Sequence, residues 1–191
     1  MELIQKDNLL DEIFVTSALR DRRIYFNEMV TRESVCKIIH ILDRLVSLDN
    51  KKQTKEDIEI VLDCEGGYCM NGLALISKML SLQEQGYNIN TTVHSLSASM
   101  GFMILLVGSN RKSLRYSEIM CHQPSSSTWG MLQDMEEEVE QTQKTWNIMK
   151  DLIINHTKIT DEQLEDIKRR KFDWWMSPKE ALSLGVIDEI I

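Results

Sequence analysis

Two prolines and eight glycines in 191 residues leave little room for long disordered stretches. No fixed repeat period is visible, which argues against a solenoid or propeller. The four cysteines, Cys36, Cys64, Cys69 and Cys121, form no CxxC pair. No His or Cys pair has ligand spacing, so no metal site is expected, and no structural disulfide either. A phosphate-binding glycine loop is lacking, and no cofactor is expected. The longest apolar run, Phe102 to Val107, is far too short to cross a bilayer. The opening Met-Glu-Leu-Ile-Gln-Lys-Asp has no basic-then-apolar layout of a secretory signal. A cytoplasmic chain without a membrane partner is therefore expected, with its thiols reduced.

Positive charge is also scarce: 22 Lys and Arg against 30 Asp and Glu give a net charge of −8. Nucleic acid is thereby a poor candidate partner, since phosphate binding needs clustered cations. The one basic cluster, Lys168-Arg169-Arg170-Lys171, reads as a solvated or intersubunit patch. What the chain has is an ordinary apolar content of 42%, enough for one domain over residues 1–191 with a real core.

The apolar periodicity alternates between strand and helix. Residues 1–20 are mixed, with a short helix near Asn8 to Leu19. Arg23-Ile24-Tyr25-Phe26 reads as a strand, and Thr31 caps a helix to about Leu48. Asp49 to Lys55 reads as a polar loop, Ile58 to Leu62 as a strand, and Asn71 to Gln85 as a helix stopped by Gly86. Ile89 to His94 is a further strand, followed by a helix from Ser99 to Val107 that is apolar all round and so should be buried. Ser113 to Tyr116 and Glu118 to His122 read as strands. A long helix covers about Met131 to Asn155, with a polar half between Glu136 and Thr145 where only Val139 is apolar. Thr160-x-x-Gln163 is a capping box, Ser177-Pro178 opens a helix ended by Gly185, and Val186 to Ile190 is a last strand. This alternation favours an α/β fold with parallel pairing and right-handed crossovers.

Four segments carry candidate chemistry. Ser99, in Ser97-Ala98-Ser99-Met100-Gly101, stands at a strand-to-helix junction, where unpaired N–H groups and the helix dipole favour a developing anion. Serine is equally a favoured helix N-cap, and the segment alone suits either role. His122, at a strand end before Gln123-Pro124, can serve as a general base or be a half-buried histidine bonded to backbone. Among 30 acidic residues spacing cannot choose an orienting carboxylate, but Asp173 lies between Phe172 and Trp174-Trp175, where a carboxylate is costly unless paired. Gly66-Gly67, after the strand that ends near Cys64, allows a sharp turn with free N–H groups, or simply a turn.

The order of these blocks carries a resemblance. Arg23-Ile24-Tyr25-Phe26 is followed by Gly66-Gly67 with Asn71-Gly72-Leu73-Ala74, then Ser97-Ala98-Ser99-Met100-Gly101, then Ile119-Met120-Cys121-His122-Gln123-Pro124. Met176-Ser177-Pro178-Lys179-Glu180-Ala181 and Leu184-Gly185-Val186-Ile187-Asp188 close the series. From about Ser17 to Ile191 the chain resembles the ClpP peptidase family. The resemblance implies an α/β fold of the ClpP/crotonase type, with repeated β-β-α units and a protruding handle helix over residues 131–156. It implies Ser99 as nucleophile, His122 as general base and Asp173 as the third member of a triad. The backbone N–H groups of Gly67 and Met100 would form the oxyanion hole. Substrates would be peptides and unfolded proteins. The assembly would be a homo-oligomer of heptameric rings stacked in pairs, or rings mixed with another ClpP, served by an AAA+ unfoldase of the ClpX or ClpA type.

The chain departs from the family pattern at five places, the first being a short and poorly matched N-terminal segment over residues 1–20. Cys64-Glu65-Gly66-Gly67 stands for Ser-Pro-Gly-Gly, and Ser-Ser-Ser-Thr-Trp-Gly130 for a glycine-rich run. Lys171-Phe172 precedes Asp173 where the family has an acid–arginine pair, and Glu59 and Val61 replace strand tyrosines. Two other readings stay open. One is a crotonase-like acyl-CoA enzyme on the same fold, and the other a non-catalytic ring subunit that modulates an active partner.

Overall fold

The computed structural model describes residues 2–191, with side chains from Glu12 onward. Seven strands form one sheet: β1 (Arg23–Phe26), β2 (Ile58–Cys64), β3 (Ile89–Ala98), β4 (Arg111–Ser113), β5 (Glu118–Cys121), β6 (Trp174–Met176) and β7 (Glu189–Ile190). The main path runs β1-β2-β3-β4-β7, all parallel, and β5 pairs with both β3 and β6. Only the β5–β6 pair is antiparallel. The α/β class expected from the strand–helix alternation is the class observed.

β3 organises the sheet. Its first half, Thr91 to Val93, pairs with β4, and its last residues, Leu96 to Ala98, pair with β5. Between them the pairing with β2 shifts register after Leu62, so that Cys64 meets Ser97. Such an irregularity bends a strand. β3 therefore leaves one run of the sheet and delivers its C-terminal end, with Ser99 beyond it, beside β5.

The helices are α1 (Glu2–Asp21), α2 (Arg32–Lys52), α3 (Cys69–Glu84), α4 (Met100–Leu106), α5 (Leu132–His156), α6 (Asp161–Arg170) and α7 (Pro178–Ser183). Thr31 caps α2, accepting from the Ser34 N–H, while the Ser34 hydroxyl accepts from the Thr31 N–H. Thr160 and Gln163 close the expected capping box on α6, and Ser177 caps α7 with Pro178 in its first turn. All seven residues of α4 are buried, as its unbroken apolar sequence requires. All but Gly101 sit within one core cluster with Ile60, Leu62, Leu75, Met79, Val93, Trp146, Met149 and Ile153.

Several boundaries differ from the sequence reading, each for a local reason. α2 runs on to Lys52, where a polar loop was expected from Asp49. Asp49 is fully buried and takes both Arg22 N–H groups, at 3.0 and 2.7 Å, so a charged residue sits inside the helix without facing water. α1 is longer at both ends than Asn8 to Leu19. β3 continues to Ala98, because its second half finds β5 as a partner. The strand expected over Ser113 to Tyr116 ends at Ser113. Ser117 instead donates its N–H to the Leu114 carbonyl in a turn, and Tyr116 stands in solvent. The last strand is only Glu189–Ile190. β6 was not anticipated at all. Trp174-Trp175-Met176 is too short for a visible alternation, and its antiparallel partner β5 lies far away in sequence.

Among the described residues no helix is long and apolar enough to cross a membrane.

A candidate active site at the end of the third strand

Ser99 follows β3 and precedes α4, and its backbone is strained there. Its φ of 55° with ψ of −118° lies in a region that L-residues rarely enter. The strain is held from both sides. The Ser99 N–H donates to the Met120 carbonyl at 3.0 Å, and the Ser99 carbonyl accepts from the Met103 N–H at 3.2 Å. The first bond ties the turn to β5, and the second to a helix packed throughout in the core. Its side chain makes no capping bond to the helix, so the simple N-cap reading does not hold. The hydroxyl is turned out of the helix instead.

It is turned toward His122. The Ser99 Oγ lies 2.8 Å from His122 Nε2, and His122 Nδ1 lies 3.1 Å from Asp173 Oδ1. An ionised carboxylate can only accept, so Nδ1 carries the proton and donates to Asp173. Nε2 is then the acceptor for the Ser99 O–H. The three residues come from three separate places in the fold. Ser99 ends β3, His122 follows β5, and Asp173 precedes β6, and the β3–β5 and β5–β6 pairings bring the three ends to one edge. Asp173 differs from expectation in one respect. Its side chain is 55% exposed, with His122 at 27%, so it is not a carboxylate enclosed by aromatics. Trp174 turns its indole N–H to Glu180, and the Arg170 guanidinium lies over the Phe172 ring, which leaves Asp173 open to solvent in the single chain.

The glycine pair abuts the serine. Gly66 (φ +101°) and Gly67 (φ +144°) both occupy backbone regions that disfavour a side chain. A Cβ on Gly66 would meet the Ser99 Cβ at 2.6 Å, and one on Gly67 would meet the Val30 carbonyl oxygen at 2.5 Å. The Val30 N–H donates to Gly66 O, and the Tyr68 N–H donates to Val30 O, forming a parallel bridge between Val30 and Gly67. In such a bridge the N–H of Gly67 itself is not bonded to Val30. Met100 opens α4, so its N–H has no acceptor within the helix. Among the described residues neither of these two N–H groups donates a hydrogen bond.

The cysteines are free thiols. Burial pushes Cys64 up to about 11 and Cys121 up to about 12, although Cys64 receives the Gly66 N–H at 3.4 Å, which works the other way. Neither is a nucleophile at neutral pH. Lys168, read as part of a basic patch, is half-buried and donates to Gln143 Oε1 at 2.7 Å. Its position could have been suspected from its spacing, four residues after the buried Leu164 on the same face of α6. Arg169 and Arg170 do face solvent, both paired with Asp166.

A parallel α/β sheet in which a strand ends at a serine bonded to a histidine, and through it to a carboxylate, has the make-up of a serine hydrolase. The chain belongs to the Clp protease family: the family model described as Clp protease matches residues 6–191. It is 31% identical over 176 residues to the ATP-dependent Clp protease proteolytic subunit of Deinococcus radiodurans, covering 91% of this chain and 81% of that one. It is 32% identical over 176 residues to ATP-dependent Clp protease proteolytic subunit 1 of Prochlorococcus marinus subsp. pastoris, covering 91% and 85%. Subunit 2 of a Synechococcus strain is 29% identical over 175 residues, covering 91% and 84%. By class the chain is a serine peptidase, a hydrolase.

Proposed function

We propose that this chain is a catalytically competent proteolytic subunit in which Ser99, His122 and Asp173 act as the triad. The observation that carries the reading is the unbroken Ser99–His122–Asp173 line of 2.8 and 3.1 Å, mounted on a serine whose backbone is strained. His122 Nε2 takes the hydroxyl proton as Ser99 Oγ attacks a peptide carbonyl. Asp173 holds the imidazole in the required tautomer and offsets its positive charge. The oxygen that gains the negative charge is received by the N–H groups of Gly67 and Met100. As the C–N bond breaks, His122 returns the proton to the leaving amine, and Ser99 keeps the acyl group. A water then repeats the sequence, losing its proton to His122 and freeing the acid. The same line of side chains disfavours a crotonase-like acyl-CoA reading, which needs oxyanion donors but no such relay.

The chain acts on peptides and unfolded proteins within an assembly of its own copies. Heptameric rings stacked in pairs, alone or mixed with a related subunit and fed by a ClpX- or ClpA-type unfoldase, are the arrangement that the family suggests. Support comes from apolar surface that a lone chain leaves in water: Ile13, Phe14 and Val15 on α1, and Trp129, Met131 and Leu132 at the start of α5. The polar first half of α5, the handle of this reading, stands clear of the core.

The test is covalent labelling. A fluorophosphonate should modify the assembled protein at Ser99 and no other serine, and short fluorogenic peptides should be cleaved by wild type and not by Ser99→Ala. An assembled sample that neither labels nor cleaves would make the chain a modulatory subunit.

A further inference from the structure

Cys64 closes β2 with a buried thiol that is bonded on two sides. Its S–H donates to the Glu28 carbonyl at 3.2 Å, and its sulfur accepts the Gly66 N–H at 3.4 Å. Burial keeps the thiol protonated at neutral pH, as a donor must be. Two backbone bonds run alongside. The Val30 N–H donates to the Gly66 carbonyl at 2.7 Å, and the Tyr68 N–H donates to the Val30 carbonyl at 2.8 Å. Three bonds thus join residues 28–30 to residues 64–68, and one of the three is made by a side chain.

The same residue reaches the start of α4. A Cβ on Gly101 would lie 2.7 Å from the Cys64 carbonyl oxygen, 3.3 Å from its Cβ and 3.4 Å from its sulfur. Gly101 directly follows Met100, so the first turn of the helix rests on Cys64. From the turn, a Cβ on Gly66 would come within 3.0 Å of the Met100 nitrogen. Cys64 therefore touches both segments at once, the one that carries the Gly67 amide and the one that carries the Met100 amide.

We propose that Cys64 is a positioning residue, whose thiol fastens the Gly66–Gly67 turn and sets the spacing of the Gly67 and Met100 amides. The proposal rests on the catalytic reading above, in which these two amides receive the oxyanion. Cys64 touches no substrate and takes no part in making or breaking a bond. It acts on where one amide stands relative to the other. Donors to a developing charge work only when they are held in place beforehand, and a small misplacement is costly in rate. An alanine at this position would free the Glu28 carbonyl and leave the Gly66 N–H without its acceptor. A serine would keep a donor and an acceptor for the same two partners.

The experiment uses two peptides of one sequence on the assembled protein, one ending in a carboxamide and one in a boronic acid. The carboxamide reads ground-state binding. With the boronic acid, Ser99 Oγ bonds to boron and its proton passes to His122. The boron becomes a tetrahedral anion, and one of its hydroxyls takes the place of the oxyanion. Cys64→Ala should weaken boronate binding about tenfold and lower kcat by a like factor. Carboxamide binding and KM should stay within about twofold. Cys64→Ser should remain within about threefold of wild type in every reading. Leu42→Ala, a fully buried change on α2, controls for lost stability. It should lower the melting temperature at least as far and leave the boronate-to-carboxamide ratio unmoved. A ratio that does not fall in Cys64→Ala, or falls equally in Leu42→Ala, overturns the proposal.

Deuterium exchange separates this role from the catalytic reading. In Cys64→Ala the Gly66 amide should exchange faster, read in a peptide covering residues 64–70, whether or not the wild type cleaves. Fluorophosphonate labelling of wild-type Ser99 with exchange and ratio both unmoved by Cys64→Ala sinks the role of Cys64 alone. Faster exchange in that variant, with no labelling of the wild type, sinks the triad and upholds the thiol as the fastening of the turn.

Discussion

Ser99 stores strain, and that strain can be measured apart from chemistry. A non-glycine residue at φ 55°, ψ −118° costs on the order of 1–3 kcal/mol, whereas glycine occupies the region readily. Ser99→Ala keeps the Cβ and hence the strain, and Ser99→Gly removes it. Both should be inactive on peptides, and the glycine variant should melt higher than the alanine variant by roughly 2–4 °C. Equal melting temperatures would mean that the backbone relaxes when the hydroxyl is lost. The cysteines give a second expectation at this scale. Cys36 is exposed, while burial pushes Cys121 up to about 12. Iodoacetamide at pH 8 should therefore alkylate Cys36 in the native chain and leave Cys121 untouched until denaturant is added, as peptide mass mapping would show.

At the scale of the element, α2 depends on an ion pair that its sequence does not advertise. Asp49 is fully buried in its last turns, and among the described residues its carboxylate is paired with Arg22, which joins α1 to β1. Asp49→Ala leaves the Arg22 guanidinium, 15% exposed, without its carboxylate, holding only to the carbonyls of Glu56 and Asp57. Breaking one side of a buried pair costs about 3–5 kcal/mol. The urea midpoint should fall accordingly, and by clearly less in Asp49→Asn, which keeps an acceptor. The same residue shows where a sequence stops being readable. Asp49-Asn50-Lys51-Lys52 looks like a loop because nothing nearby signals a partner, and the partner is 27 residues earlier. β6 was hidden for a like reason, since a three-residue strand exists only through its pairing with β5. By contrast the caps at Thr31, Thr160 and Ser177 were visible, because a cap is written within three residues. Ser99 and His122 were visible as candidates from their strand ends, but the residues alone left nucleophile and cap, base and spectator, undecided. Only the β3–β5–β6 pairing brings them into one line with Asp173.

At the scale of the whole molecule, a carboxylate beside β7 adds to the ladder that holds this strand to β4. Asp188 accepts from the Arg111 N–H at 2.8 Å and from its guanidinium at 3.0 and 2.6 Å, joining β7 to β4. Burial works to raise its pKa, but the Arg111 hydrogen bonds and charge outweigh this and hold it below the ordinary carboxylate value. A lowered pKa in the folded state gives stability that is fully present above the unfolded value, near 3.9, and is lost as pH falls through the folded one. Acid should thus loosen this end of the molecule, and Asp188→Asn should flatten the fall in stability below about pH 4. Denaturation curves for the two proteins between neutral and acid pH would check this.

The wholly enclosed α4 has a consequence for how this protein can fail. The helix that opens at Met100 and fixes the serine's backbone has no surface of its own to yield. Its hydrogen-bonded amides, from Met103 to Leu106, should exchange with deuterium only when the entire chain opens. A substitution at Phe102 or Leu105, with no atom near a substrate, would then register in an activity assay as damage to catalysis, although what it had loosened was the mounting of the serine.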